Sequence, residues 1–185
     1  MRNMLLSTTY FGPIQWYQKV NRAERVWIEA HESFIKQTYR NRCVIATTNG
    51  TQILSVPVNH DEGRGIRQIR ISNHGNWRHL HWNALASAYG KSPFFDYYED
   101  DLRPFFEQEW EYLFDFNLAI IHKMLELLDV RRDVMLTEEY SPSSSPDDFH
   151  PQRYWQVYQQ KHGFIPNLSI LDLLFNMGNE AIYYL

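Results

Sequence analysis

Apolar positions change period several times along the chain, and each change marks a predicted element. Residues 4–10 are β-rich and read as a short strand that Gly12-Pro13 ends. Proline is at home in the first turn of a helix, and Ile14, Tyr17 and Val20 then recur at helical spacing. That spacing predicts a helix over 13–21. Residues 25–30 (Arg-Val-Trp-Ile-Glu-Ala) alternate and predict a second strand. The opening is therefore β-α-β, with parallel pairing of its two strands. Residues 31–42 carry no clean period and read as a loop. Residues 43–48 and 51–58 flank Asn49-Gly50, a pair suited to both positive-φ positions of a type I′ turn, and predict a β-hairpin. A polar loop over 59–65 contains His60-Asp61-Glu62. Ile66, Ile69 and Ile71 suggest one more strand.

The second half reads helical. Residues 77–89 place Trp77, Leu80, Ala84, Leu85 and Ala88 at helical spacing. Pro93 opens the aromatic stretch Phe94-Phe95-Asp96-Tyr97-Tyr98, and Pro104 marks the first turn of another helix. Residues 115–128 form the strongest predicted helix, with Leu118, Ile121, Leu125 and Leu128 on one face. The segment 137–151 includes a Ser/Pro run and reads as an exposed loop. Residues 154–161 and 169–175 are predicted short helices. Ser169 has Asp172 three residues on, a capping-box pattern. The fold class is mixed α/β: a small mixed sheet with a β-α-β opening and an antiparallel hairpin, then a helical second half. Residues 1–185 read as one domain, the usual size for this length.

Composition narrows the function classes. A formal charge of −4 argues against nucleic acid or a membrane surface as partner, since either requires a basic face. No apolar run approaches the roughly 18 residues of a membrane span. Residues 1–10 contain no signal-type apolar core. Cys43 is the only cysteine, so no internal disulfide exists and cytoplasm is the expected location. Aromatic residues make up 16%, enough to line a pocket or an interface.

The densest reactive segment runs from Glu29 and His31 through Lys36, Tyr39, Arg40, Asn41 and Arg42 to Cys43. It joins a predicted strand to the hairpin, where α/β proteins tend to place ligands. If extended, the segment aims Arg40 and Arg42 the same way, and two guanidinium forks suit a phosphate or carboxylate. The alternative is a solvated loop whose charges pair with one another. Beside two arginines the Cys43 thiol could ionise, but a small buried hydrophobe is the commoner fate of a lone cysteine. His81, beside Trp82, suits a polar contact in a ring-lined cleft. His79 and His81 do not share a helical face and lack zinc-ligand spacing, so no metal site is expected. Phosphate-loop, Gly-x-Ser-x-Gly and Cys-x-x-Cys motifs are absent.

Thr9-Tyr10-Phe11-Gly12-Pro13-Ile14-Gln15-Trp16-Tyr17 resembles the opening motif of the WbqC-like proteins. Lys36-Gln37-Thr38-Tyr39-Arg40-Asn41-Arg42-Cys43 resembles their Asn-Arg signature. Trp77, His81-Trp82, Ala88-Tyr89 and Ser92-Pro93-Phe94-Phe95 are similar to their central helical motif. Residues 164–178, from Phe164-Ile165-Pro166-Asn167 to Asn176 and Gly178, form the most specific stretch. Motif order matches over almost the whole chain. The chain departs from longer members at Ser7-Thr8-Thr9, at Glu29-Ala30-His31-Glu32 and in the Ser/Pro loop. The resemblance implies a bacterial setting among genes for O-antigen and other surface polysaccharides. The expected function is an enzyme of that biosynthesis or of amino-sugar metabolism, a group transferase acting on a sugar nucleotide. The expected ligand is a small anionic molecule or sugar nucleotide. Arg40 and Arg42, with Lys36, Tyr39 and Asn41 beside them, would hold its anionic part. His31 or His81 would move a proton, oriented by Glu29 or Glu32. Tyr10, Trp16 and Trp82 would stack on a sugar or base. The competing expectation is a non-catalytic binding or assembly protein with an aromatic interface. The residues name no cofactor and leave a homo-oligomer open.

Overall fold

A computed structural model describes residues 2–59, 64–142 and 148–185. The His60-Asp61-Glu62 reading and residues 143–147 of the Ser/Pro-rich loop lie outside these residues. The described chain is mixed α/β, as its patterning predicts, with three parallel strands, an antiparallel hairpin and a helical second half. β1 (Asn3–Leu6) leads into α1 (Ile14–Arg22) and then β2 (Arg25–Ile28), and the two strands pair in parallel with Asn3 opposite Arg25. α1 buries Ile14, Tyr17 and Val20, the residues that predicted it. Gly12 precedes it because a Cβ there would lie 2.4 Å from Thr9 Oγ1.

β5 (Val134–Leu136) adds a third parallel strand outside β2. At three residues it carries too few positions for a period to show, and the sequence reading missed it.

β3 (Arg42–Thr47) and β4 (Gly50–Ser55) form the hairpin. Its turn differs from expectation. Thr47 pairs with Gly50, so the two-residue turn is Thr48-Asn49, with the positive φ on Gly50 alone at 118°. Thr47 Oγ1 accepts from Asn49 N at 3.2 Å, so a local side-chain bond competes with the type I′ arrangement.

The strand expected at Ile66, Ile69 and Ile71 is instead a 3-10 turn, Ile66–Gln68, followed by isolated bridges at Arg70 and Ile71. Ile66 and Ile69 are three apart, so one tight turn buries both, at 0% and 4% exposure.

α2 (Trp77–Tyr89) has the expected limits, but its inner face is Trp77, His81, Leu85 and Ala88. Leu80 points out, 60% exposed. α3 (Phe95–Leu102) and α4 (Pro104–Glu107) follow, the latter with Pro104 in its first turn. α5 (Leu113–Leu127) is the longest helix among the described residues and buries Phe114, Phe116, Ile120, Ile121 and Met124. The helix expected over 154–161 shrinks to α6 (Gln159–His162), because Tyr154 and Gln156 are held by side-chain bonds to Asp172. α7 (Ile170–Met177) is buried on every side from Ile170 to Asn176. Among the described residues no helix is long and apolar enough to cross a membrane.

The C-terminal motif stitches the opening to the hairpin. Ile14 N donates to Leu168 O, Ile170 N to Gly12 O, Ser169 N to Val44 O and Ser169 Oγ to Phe11 O. Ser169 caps α7 by accepting from Leu171 N at 3.2 Å. Asp172 does not complete a capping box. Its buried carboxylate accepts from Tyr89 at 2.7 Å, Tyr154 at 2.5 Å and Gln156 at 3.2 Å, which joins α2, α7 and the segment before α6.

Candidate functional site

Three parallel strands end at one edge, so the residues that follow them are brought together whatever their spacing in sequence. Ser7 follows β1, Glu29 to Glu32 follow β2, and Thr137 follows β5. Residues 31–41 of the expected loop form no helix or named strand, whereas Arg42 already belongs to β3. The loop folds back beside this edge, with Arg40 against Glu32 and the Tyr39 carbonyl accepting from Tyr10 N. The carboxyl ends of parallel strands are where open α/β sheets bind ligands.

Two carboxylates organise the edge. Glu29, 1% exposed, accepts from His31 N at 2.7 Å, Thr137 Oγ1 at 3.1 Å and Ser141 N at 2.9 Å. His31 is exposed, and its Nε2 donates to Thr137 O at 3.0 Å. Glu29 and His31 thus share Thr137, with Glu29 engaged by the backbone rather than by the imidazole ring. Glu32 grips Arg40. Arg40 Nε donates to Glu32 Oε1 at 2.8 Å and Nη2 to Oε2 at 2.9 Å, a two-pronged pair. Ser7 completes it, donating to Glu32 at 2.9 Å and accepting from Arg40 at 3.1 Å. α5 anchors the same turn, since Asn117 Nδ2 donates to Arg40 O at 2.7 Å.

Beside this cluster, where β1 hands over to α1, opens a cleft of about 210 Å³. Trp16 and Tyr39 line it with rings. Ser7, Thr9 and Gln15 supply hydroxyl and amide groups, and Lys19 supplies a cation. Trp16 is held in place by its indole N–H, which donates to Ser7 O at 2.8 Å. Gln15 is held by Asn167 of the C-terminal motif, whose Oδ1 accepts from Gln15 N at 2.9 Å. Tyr39 keeps 40% of its surface exposed while its carbonyl accepts from Tyr10 N at 2.9 Å.

The remaining candidates sit elsewhere. Tyr10 is fully buried, and its hydroxyl meets His81 Nδ1 at 2.8 Å. Burial raises the Tyr10 pKa, so Tyr10 keeps its proton and donates it to Nδ1. Burial also lowers the His81 pKa to about 4, partly offset by a hydrogen bond to the Ser55 backbone. His81 is therefore a neutral bridge inside the core, between the rings of Tyr10 and Trp77. Arg40 lies in a turn and Arg42 begins β3, so the extended spacing that would align their guanidinium groups is not present. Among the described residues, Arg42 Nε and Asn41 Oδ1 are buried without a hydrogen-bond partner, while Asn41 Nδ2 donates to Val56 O. Lys36 is exposed. Trp82 lines a different and larger cleft at the start of α2. Cys43 is buried in β3, and burial pushes its thiol up to about 12. Among the described residues no group of three or more His, Cys, Asp or Glu could hold a metal ion.

Sequence reasoning missed Ser7, Thr137 and Asn117. Ser7 lies just past β1, Thr137 lies 108 residues downstream of the Glu29 it bonds, and Asn117 lies 77 residues downstream of Arg40.

The family described as "WbqC-like protein family" matches residues 8–149 and 148–184. A relative, the uncharacterized protein Rv1507c of Mycobacterium tuberculosis, is 27% identical over 197 aligned residues, covering 82% of this chain and 83% of its own. No solved structure matches.

Proposed function

Because the chain belongs to the WbqC-like protein family, we propose that it acts in bacterial surface-polysaccharide biosynthesis, holding a sugar nucleotide at the carboxyl edge of the parallel sheet for group transfer. The cleft between Trp16 and Tyr39 carries this reading. Two rings there face hydroxyl, amide and ammonium groups, the combination that a sugar ring bearing a phosphate requires. The anionic role falls to Lys19. Arg40 acts from behind it, since an anion reaching its guanidinium must first displace Glu32. His31 is the proton-moving candidate at this edge. His81 shapes the cleft through Tyr10, whose backbone N–H fixes Tyr39.

A thermal-shift screen with nucleotide sugars, acyl-CoA thioesters and ATP tests the proposal. A ligand at a hundred times its Kd adds about 2.7 kcal/mol. For a chain of this size that is a rise of roughly 5–10 °C. Tyr39→Ala and Lys19→Met should abolish the shift while leaving the unliganded melting temperature within about 2 °C, as expected for surface changes. If none of these compounds shifts the wild-type protein, the proposal fails.

A binding or assembly role is the competing reading, and the rings of Tyr183 (82% exposed), Tyr97 (68%) and Trp155 (46%) favour it. Sedimentation analysis that finds a concentration-dependent oligomer, lost on Tyr183→Ser or Tyr97→Ser, would support that role.

A further inference from the structure

A second cleft, larger than the one at the sheet edge, lies away from it. It encloses about 520 Å³ between the start of α2 and the segment leading from α4 to α5. We propose that it is a second binding site, specific for a neutral, hydroxyl-rich pyranose ring. The inference is independent of the sheet-edge reading and rests on other residues.

The floor is Trp82. Its indole packs against Phe95 at 5.7 Å and Phe106 at 5.5 Å between ring centres, with the Arg103 guanidinium 5.4 Å from the ring. A half-buried indole held from several sides is a rigid platform for the C–H face of a sugar.

The walls carry both signs of charge. Arg103 pairs with Glu99 and lies 3.9 Å from Glu107. Arg78 spends Nε on Gln108 O at 3.1 Å, and Glu109 stabilises its charge against the burial that lowers its pKa. The Nη2 of Arg78 is buried and, among the described residues, has no hydrogen-bond partner. The two guanidinium groups and two carboxylates lining the cleft cancel. A phosphate therefore gains no net attraction there. Vicinal hydroxyls, which both donate and accept, find carboxylate acceptors and guanidinium donors side by side.

Backbone strain marks the same spot. Asn76, a non-glycine residue, adopts the left-handed conformation (φ 50°, ψ 38°) immediately before α2, next to Gly75 at φ 80°. Asn76 also occupies the N-cap position, yet its side chain makes no capping bond. The amide is thus not spent on the helix, and it lines the cleft.

The six tryptophan indole N–H signals report on both sites at once in a ¹H–¹⁵N spectrum. Trp82→Phe and Trp16→Phe assign two of them by deletion. The wild-type protein is titrated separately with glucose, galactose, mannose, N-acetylglucosamine, rhamnose and fucose, and with inorganic phosphate. The site is supported if at least one sugar moves the Trp82 signal saturably while the Trp16 signal stays put. Glu109→Gln and Asn76→Gly, which keeps the left-handed backbone, should then each weaken that sugar by tenfold or more without lowering the melting temperature. The inference is overturned if none of the six sugars moves the Trp82 signal, or if phosphate moves it and the sugars do not. It is equally overturned if a sugar moves the Trp16 signal alone, an outcome that would support the sheet-edge reading.

Discussion

Arg40→Met should destabilise the protein strongly, and the size of the loss decides whether this arginine is structural or available to a ligand. The substitution keeps most of the stem and deletes four polar contacts. Two go to Glu32 at 2.8 and 2.9 Å, one to Ser7 at 3.1 Å and one to Thr38 at 3.4 Å. The Arg40 and Glu32 side chains are 14% and 10% exposed. An exposed pair is worth about 0–1 kcal/mol. Removing one partner of a fully buried pair costs about 3–5 kcal/mol, because the other charge is stranded. With this partial solvent access the expected loss is about 2–4 kcal/mol. Glu32→Gln should cost less, about 1–2 kcal/mol, since its amide oxygen still accepts from the guanidinium. The double variant Arg40→Met/Glu32→Leu should recover part of the loss, because no charge remains stranded, giving a coupling of about 1–3 kcal/mol.

Urea unfolding of the wild type, both single variants and the double variant closes this cycle. Each measurement is repeated at low and high salt, where a surface pair weakens and a buried one persists. A loss below about 1 kcal/mol for Arg40→Met, or one that vanishes in salt, would refute the argument. Arg40 would then be a surface cation free to hold a phosphate.

Three further predictions concern buried titratable groups. Burial raises the Asp172 pKa, so the folded state holds a proton that the unfolded state has released, and stability falls as pH rises through that interval. Asp172→Asn should therefore gain on the wild type from acid to neutral pH, by about 1.4 kcal/mol per unit of elevation, and a gap that stays flat would show an unperturbed carboxylate. His81 behaves in the opposite sense. Its pKa falls to about 4, so stability on the order of 3 kcal/mol is lost as pH drops from roughly 6.5 towards that value, and an imidazole NMR titration with a midpoint near 6.5 would contradict it. Cys43, at about 12, should resist a disulfide reagent at pH 8 until the protein unfolds, and stoichiometric native labelling would show that the strand opens.

Where a sequence pattern is local and complete, it is legible. The β-α-β opening, the hairpin, the limits of α2 and the proline-started α4 follow from periods and breakers within a few residues. On α2 and α7 residue type is a poor guide to facing. On α2 the apolar Leu80, at helical spacing, reads as inward-facing. Helix geometry instead puts residues 77, 81, 85 and 88 inward, so a histidine is buried and a leucine exposed. At α7 the Ser169 and Asp172 spacing matched a capping box, yet the helix is buried on every side, and a carboxylate there finds tyrosine hydroxyls rather than a free backbone N–H.

The candidate site divides in the same way. The polar segment 31–42 was visible because it lacks a period between two periodic neighbours. What its charges face was not visible, since the Arg40 partners are Glu32, eight residues before it, and Ser7, thirty-three before it. Parallel pairing creates that meeting by ending β1, β2 and β5 at one edge. A guanidinium in such a place is drawn first to a carboxylate of its own chain. On the proposed reading a ligand would be held instead by the rings and polar groups of the cleft beside it. At the other cleft the charges cancel as well, and again an aromatic platform and a set of amides remain. On the two proposals made above, internal pairing of charge would remove the arginines as the main source of affinity in both places. Recognition would then depend on a flat apolar face bordered by hydrogen-bonding groups, a combination that favours sugars over simple anions.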